Sequence, residues 1–411
     1  MGLNTALSGI LGAQSDLNVI SNNIANTNTT GFKASRAEFG DIFSSTAYNL
    51  STVGVGSGTR LTDTAQLFNQ GDIESTGNSL DIAIDGNGFF TLNTGNGTAY
   101  TRAGNFHTNA NGDVVNDEGY NLQVYAPGAT AGTFDTSNLI NLSIPTSEGA
   151  AQATTSAKIV ANLPSGATTP TTTPFSASDS SSYNNTTTFT AYDSQGQSHA
   201  VTMYYVKTGT NSWQAHAVVD GTDVTPSSGL DLTFNSNGQL TTTGGDGKLT
   251  LGTYPPTNGA SPMNITVDMT GSTQYGTAYS AGTVSQNGYQ AGTLASIDIG
   301  SGGIVTANYS NGQSNQVGQL AMANFTNQQG LAQVGNTNWK ATSTSGQAIM
   351  GTANSGQFGD LQSGALESST TADTTAQLVA MIQAQQAYQA NAQVLSTTNT
   401  LTSTLMSAIS R

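Results

Sequence analysis

From Met1 to Phe32 the only charged side chain is Asp16, and from Thr374 to Ser410 there is none. Both stretches nevertheless repeat like helices. Leu3, Ala6, Ile10, Ala13, Leu17, Ile20 and Ile24 recur at alternating spacings of three and four, which makes a coiled-coil-like stripe. Ala380, Ala387, Val394, Leu401 and Ala408 recur every seven residues, with Ala384 and Leu405 on the same stripe. An exposed helix normally carries Lys and Glu on its wet face. Here that face is Asn, Gln, Ser and Thr, which can bond to neighbouring polar groups without the desolvation cost of a buried charge. Two arrangements satisfy these stripes: the helices pair within one molecule, or they pack against other copies. Gly9 and Gly12 favour assembly, because each weakens an isolated helix by roughly 1 kcal/mol relative to Ala while letting another helix approach closely.

Composition bounds the rest. A chain of 411 residues allows about two to four domains. Charged residues are 8% of it and the formal net charge is −15. The nine basic residues are scattered from Lys33 to Arg411 and form no patch, which argues against nucleic acid and anionic membranes as partners. The absence of cysteine excludes disulfides and thiol chemistry. The first residues lack a positive n-region and an apolar h-region, so neither a cleaved signal nor membrane insertion is expected. Met1-Gly2 begins like a myristoylation signal, but Ala6 stands where Ser or Thr is needed.

Between the ends the pattern is β. The first helix should stop near Asn26 to Gly31, and residues 29–70 read as a linker, with Gly54, Gly56 and Gly58 marking a loop. From Asn78 the chain alternates: Leu80, Ile82 and Ile84 are predicted on one face, and Ser79, Asp81, Ala83 and Asp85 on the other. A Thr/Ser/Ala/Pro-rich stretch near 146–182 marks a crossing into a second β domain, and Gly276 to Gly292 a return. Within that domain Tyr192-Asp193-Ser194-Gln195-Gly196-Gln197 and Phe234-Asn235-Ser236-Asn237-Gly238-Gln239 read as one recurrent hairpin turn.

The expected architecture is therefore multidomain. Residues 1–28 with 372–411 form a helical assembly domain, and 29–70 with 360–371 form linkers. An inner discontinuous β domain comprises 71–145 with 286–359, and the outer β domain, 146–285, is inserted into it.

No catalytic, metal or cofactor constellation emerges. Asp81 and Asp85 share a strand face but lie roughly 13 Å apart at about 3.3 Å per residue, beyond the roughly 5 to 9.5 Å of paired glycosidase carboxylates. His107, His199 and His216 lack metal-ligand spacing. Gly54-Val55-Gly56-Ser57-Gly58-Thr59 lacks the third glycine of a dinucleotide fingerprint. Asn109-Ala110-Asn111-Gly112-Asp113 lacks the opening Asp and closing Glu of a calcium loop and reads as a hairpin. Trp213 and Trp339 are read as core residues of the two β domains.

Four segments carry a family resemblance. Ser21-Asn22-Asn23-Ile24-Ala25-Asn26-Thr27-Asn28-Thr29-Thr30-Gly31-Phe32-Lys33 resembles the N-terminal signature of the bacterial flagellar rod, hook and hook-associated axial proteins. Asp85-Gly86-Asn87-Gly88-Phe89-Phe90, Tyr100-Thr101-Arg102-Ala103-Gly104-Asn105-Phe106 and Ala384-Gln385-Gln386-Ala387-Tyr388-Gln389-Ala390-Asn391-Ala392 are similar to that family in the same order. Two departures stand out: Glu367 to Leu378 is about one residue longer than the family pattern, and Gln386 stands where a basic residue is common.

The large insertion resembles hook-type members, with distal rod and hook-associated members as the alternative. A surface carbohydrate-binding or adhesin protein is the reading from another class. The resemblance implies an extracellular helical homopolymer of the flagellar hook, exported unfolded by the flagellar type III apparatus without signal cleavage. It implies a curved tube, a universal joint carrying torque from rod to filament. Its partners would be other copies, the distal rod protein, the hook cap protein and the hook–filament junction protein, with no cofactor. Candidate assembly residues are Leu3, Ile10, Leu17, Ile20, Asn22, Asn23, Ile24, Asn26, Gly31 and Phe32 at one end, and Tyr388, Asn391, Val394, Leu401 and Leu405 at the other.

Overall fold

The computed structural model describes residues 2–42, 56–130, 132–226, 229–241, 247–371 and 373–409. Gly54 of the glycine loop, Ala372 and Arg411 lie outside them. The protein is multidomain and mainly β, with one long helix at each end of the chain, α1 (Gly2–Ala25) and α2 (Thr374–Ile409). It divides into two compact units, one of Met1–Thr146, Ser296–Asn308 and Ser314–Arg411, the other of Ser147–Ala295 and Tyr309–Gln313.

In the first unit, α1 ends where Asn and Thr side chains compete for its last carbonyls. Asn26 Nδ2 donates to the Asn22 carbonyl at 2.9 Å and the Thr27 hydroxyl to that of Ile24 at 3.1 Å. Gly31 completes the stop at φ 65°.

The segments read as linkers carry strands. Ser35–Asp41 pairs antiparallel with Thr59–Gln66, with a register break between Glu38 and Phe39. Asp360–Ser363 pairs with Ile82–Asp85, and Ala365–Glu367 with Ile73–Ser75. The strands at Asp360–Ser363 and Ala365–Glu367 are polar and weakly alternating, and their pairing is dictated by partner strands nearly three hundred residues away.

The same pairing corrects the alternation expected after Asn78. Ile82, Ala83 and Ile84 are all fully buried, so both faces of this strand are covered and Ala83 does not look outward. Beyond it, Phe89–Asn93 and Thr98–Thr101 form a hairpin in a thirteen-stranded sheet that also holds Asn121–Pro127, Met322–Asn324 and Asn338–Lys340. Phe89, Tyr100, Phe325 and Trp339 pack there as a core cluster, and Phe68 meets Phe89 edge-on at 5.7 Å between centroids.

The second unit is built on two sheets. Asn185–Tyr192, Ser198–Gly209, Ser212–Val219 and Thr222–Asp223 are neighbours in the larger, with Leu230–Thr233 added beside Ser212–Val219. In the smaller, Ser156–Asn162 lies between Thr266–Asp268, to which it runs parallel, and Ser280–Gln286, to which it runs antiparallel. The residues read as a return crossing thus contribute an edge strand. The alternation Val201, Met203, Tyr205 against Thr202, Tyr204, Val206 gives one buried face, and Trp213 completes the core among Ile159, Leu232 and Val267.

The two similar hairpins fold alike. In each, the Asx oxygen accepts the backbone N–H groups two and four residues on: Gln195 and Gln197 for Asp193, Asn237 and Gln239 for Asn235. Asn109 does the same for Asn111 and Asp113, so this segment is the turn of the hairpin between His107–Thr108 and Val114–Val115.

Gly104 tests the packing of the first unit. A Cβ there would stand 1.6 Å from the Ile82 carbonyl oxygen, which belongs to backbone and cannot yield. Gly104→Ala is expected to destabilise the first unit by about 3 kcal/mol or more. Calorimetry should show its transition lowered or lost while that of the second unit stays in place.

Candidate assembly interface

Asn23 meets Gln377, with Nδ2 and Oε1 3.5 Å apart, and a Cβ on Gly9 would fall 2.6 Å from the Asn391 side chain. The two terminal helices therefore run antiparallel within one molecule, and Gly9 is the position that admits Asn391. Ala6, Ile20 and Ala384 are buried along this seam, while Ile10, Leu17 and Ile24 are half-buried. Gly12 lies against Phe39 and Thr59 of the first hairpin.

Asn23 is the clamp at the base. It donates from Nδ2 to the Ser35 carbonyl at 2.8 Å and accepts the Ser35 N–H at 2.9 Å, while the Thr371 hydroxyl donates to its carbonyl at 3.1 Å. Beside it a groove of about 450 Å³ is lined by Asp16, Arg36, Gln383 and Ala387 among others. Partial burial raises the carboxyl of Asp16 above its ordinary range.

Below the helices sits a buried ion cluster. Lys33 Nζ donates to Glu367 Oε1 at 2.6 Å and to the Asn69 carbonyl at 2.6 Å, with both charged side chains fully buried. Arg102 Nε lies 3.6 Å from Glu367 Oε2, and its Nη2 donates to the Gly86 carbonyl at 2.7 Å. The Gly71 N–H donates to Glu367 Oε1 at 2.8 Å, and the Gly31 N–H to the Glu367 carbonyl at 2.8 Å. Burial pushes the Lys33 ammonium below its ordinary range, with the Glu367 carboxylate pulling against it. Burial likewise lowers Arg102, and Glu367 opposes that too.

Gly31 has a second reason to be glycine, since a Cβ would stand 2.5 Å from the Ala103 nitrogen. Phe32 is buried beside it. Lys33 and Arg102 lie in two of the motifs, but Glu367, Ser35 and Thr371 escaped sequence reasoning. No spacing rule connects Lys33 to an acid 334 residues away.

Beyond the seam the helices are uncovered. With Gly9 opposite Asn391, the first turn of α1 reaches the level of Thr398, and Asn399 to Ile409 extend past it. Val394 is 51% exposed, Leu401 65%, Leu405 62% and Ile409 74%; Leu3 and Tyr388 are also exposed. Asn22 is exposed, and its side-chain oxygen accepts from Asn26 at 3.2 Å. The threonines of α2 do not await partners, because the hydroxyls of Thr397, Thr398, Thr400, Thr402 and Thr404 each donate to the carbonyl four residues back. The large apolar side chains of the outer half of α2 stay exposed.

Elsewhere the singled-out acids are engaged in turns. Asp81 accepts from the Thr76 hydroxyl at 2.6 Å and from Asn78 at 3.1 Å, and Asp85 from Gln70 at 3.0 Å.

The chain is 40% identical over 413 residues to the flagellar hook protein FlgE of Escherichia coli strain K12, with 99% of each chain covered. It belongs to the flagellar hook protein family. The FlgE proteins of Rhizobium meliloti, 34% identical over 421 residues with 98% of each chain covered, and of Treponema pallidum, 32% over 465 with 98% of each, are similar along the same span.

Four family models match segments of the chain. They are the flagella basal body rod protein model over 3–33, the flagellar hook protein FlgE/F/G D1 domain over 83–162, the flagellar basal body protein FlaE D2 domain over 162–289, and the flagellar basal body rod FlgEFG protein C-terminal model over 362–408. The first ends at Lys33 and the last begins five residues before Glu367, so the buried ion pair joins the two terminal segments. The crystal structure of the flagellar hook protein FlgE2 of Helicobacter pylori shares the fold, with a TM-score of 0.53 at 14% identity over 72% of this chain and 100% of that one.

Removing the anion should be worse than removing one cation. Glu367→Gln leaves Lys33 and Arg102 buried together and is expected to cost about 3 to 5 kcal/mol. Lys33→Met leaves Glu367 beside Arg102 and should cost less. Urea unfolding of the two variants gives the order; equal or reversed costs would contradict this account of the cluster.

Proposed function

We propose that this chain is the structural subunit of the flagellar hook, polymerising through its terminal helices into a curved tube that acts as a universal joint between rod and filament. The observation that carries the assembly surface is the uncovered apolar stripe of Val394, Leu401, Leu405, Met406 and Ile409, together with Leu3, Leu7 and Leu11 on α1. A soluble chain gains nothing from such a stripe in water. Burying one leucine is worth about 2 kcal/mol, and the gain repeats in every subunit.

The stripe and the parts of the seam that one molecule leaves open are different surfaces, so contacts between copies would be heterologous and would build an open helical array rather than a closed ring. In this reading Leu3, Ile10, Leu17, Ile20, Ile24, Tyr388, Asn391, Val394, Leu401 and Leu405 line the helical wall. Asn22, Asn23, Asn26, Gly31 and Phe32 fix how the wall meets the β segments.

The helical segments 1–28 and 372–411 would form the inside of the tube. The inner β domain of 71–145 with 286–359 and the inserted domain of 146–285 would be the parts of the subunit outside that helical wall. Bending then requires the outer domains to slide while the helices hold, and an outer unit poor in charge suits that. The reading extends to the family's setting: export through the flagellar type III apparatus without a cleaved signal, assembly outside the cell under a cap protein, and junctions with the distal rod protein and the hook–filament junction protein.

Leu401→Glu discriminates. In the free chain Leu401 is mostly exposed, so the variant should melt like the wild type and remain a soluble monomer. In the tube its carboxylate would be enclosed at a cost of several kcal/mol. Assembly at neutral pH is expected to fail and to recover in mild acid, as pH falls toward the ordinary Glu value of about 4.3 and the enclosed carboxyl, raised by burial, is protonated. Ser407→Glu, off the stripe, should assemble. Electron microscopy and sedimentation read the result, and full-length tubes from Leu401→Glu at neutral pH would remove the stripe from the interface.

A further inference from the structure

One buried titratable cluster lies in the second unit, away from the sequence of the terminal helices. His199, 6% exposed, lies at the start of the Ser198–Gly209 strand. Its Nδ1 is 2.6 Å from Asp220 Oδ2 and its Nε2 is 3.3 Å from Asp193 Oδ2. Asp193 is fully buried in the Asx turn, where its Oδ1 accepts the N–H groups of Gln195 and Gln197 and its Oδ2 accepts Asn258 Nδ2 at 2.5 Å. Asp220, at φ 48° in the turn between Ser212–Val219 and Thr222–Asp223, accepts the Ala200 N–H on Oδ1 at 2.9 Å and the Tyr254 hydroxyl on Oδ2 at 3.4 Å. The Tyr254 ring stands edge-on to the imidazole at 5.4 Å.

Carboxylates only accept, so a histidine with one at each ring nitrogen must donate from both. That state is the imidazolium. Placing the proton on Asp220 instead would require a partly exposed carboxyl already receiving two donors to outcompete an imidazole, against ordinary pKa values of about 3.9 and 6.5.

We propose that protonated His199 is the hub of an alkaline-sensitive latch that clips the Asp193 turn, the Asp220 turn and the Tyr254–Asn258 loop together, and that this end of the second unit loosens when the proton leaves. The groups facing the ring are Asp193, Asp220 and Tyr254, and no cation is among the groups acting on it. Burial alone would lower the imidazole, but its bonds to Asp220 and Asp193 and their charges outweigh that and raise it. Burial would raise both aspartates, but the donors around them outweigh it and hold both low.

A raised histidine contributes fully below the ordinary value of about 6.5, and the contribution is lost as pH rises through the folded pKa. The lowered aspartates contribute above about 3.9 and lose that as pH falls through their folded values. The second unit should therefore be most stable between about pH 4 and 6.5.

The test uses the full chain, labelled with ¹⁵N-histidine, with His199→Gln identifying the resonance. Both His199 ring nitrogens are expected to be protonated at neutral pH and to titrate at higher pH than those of His216, which burial lowers. A single neutral tautomer of His199 at neutral pH would overturn the proposal. In thermal melts the second unit's transition should fall from pH 6 to alkaline pH in the wild type, and this slope should be absent in His199→Gln. An unchanged slope would also overturn it. If that variant fails to fold, His107→Gln and His216→Gln identify the other two histidines, and the remaining wild-type resonance decides.

Discussion

Lys33, Glu367 and Arg102 hold the chain's two ends to its β body. A buried ion pair is an expensive fastening, since each charge gives up its water and regains it only through close partners. Here the partners converge from five places in the sequence: the exit of α1 at Gly31, the segment 69–71, the Gly86 carbonyl, the Arg102 strand end and the strand that leads into α2. Because Glu367 answers two cations, none of these segments can leave without stranding a charge in the interior. Both terminal helices consequently start from fixed points, and the seam between them begins at Asn23 in register.

That fixed base sets the intramolecular one of the two arrangements their stripes allow. Near the base they pair within the molecule, with Gly9 admitting Asn391 and with Ile20 and Ala384 buried. Farther out α2 outruns α1, because 36 residues extend about 54 Å and 24 residues about 36 Å. The surplus is an apolar helical surface with hydroxyls already bonded to its own backbone. A charge-free helix such as α2 suits burial against either partner, since no ionised side chain has to give up its water.

The second unit uses a different economy of charge. Its large sheet buries one face by strict alternation, and the loops at one end are gathered by Asp193, His199 and Asp220 rather than by apolar contacts. The first unit hides two cations around one anion, and the second places two anions around one cation. Both clusters join segments that the chain order keeps apart.

Much of this was legible from local pattern. Helical period and lack of charge announced α1 and α2, and turn chemistry announced the Asx hairpins. Each of these is decided by neighbours within a few residues. The four motifs also carried the family, because their order and spacing are properties of the chain.

What remained hidden depends on partners far away: the strands at Asp360–Ser363 and Ala365–Glu367, the burial of Ala83 on both sides, Glu367 as the counter-charge of Lys33, and His199 as more than a strand residue. A polar strand or a lone acid looks like linker until its partner is in place, and only the folded chain brings that partner within hydrogen-bonding distance.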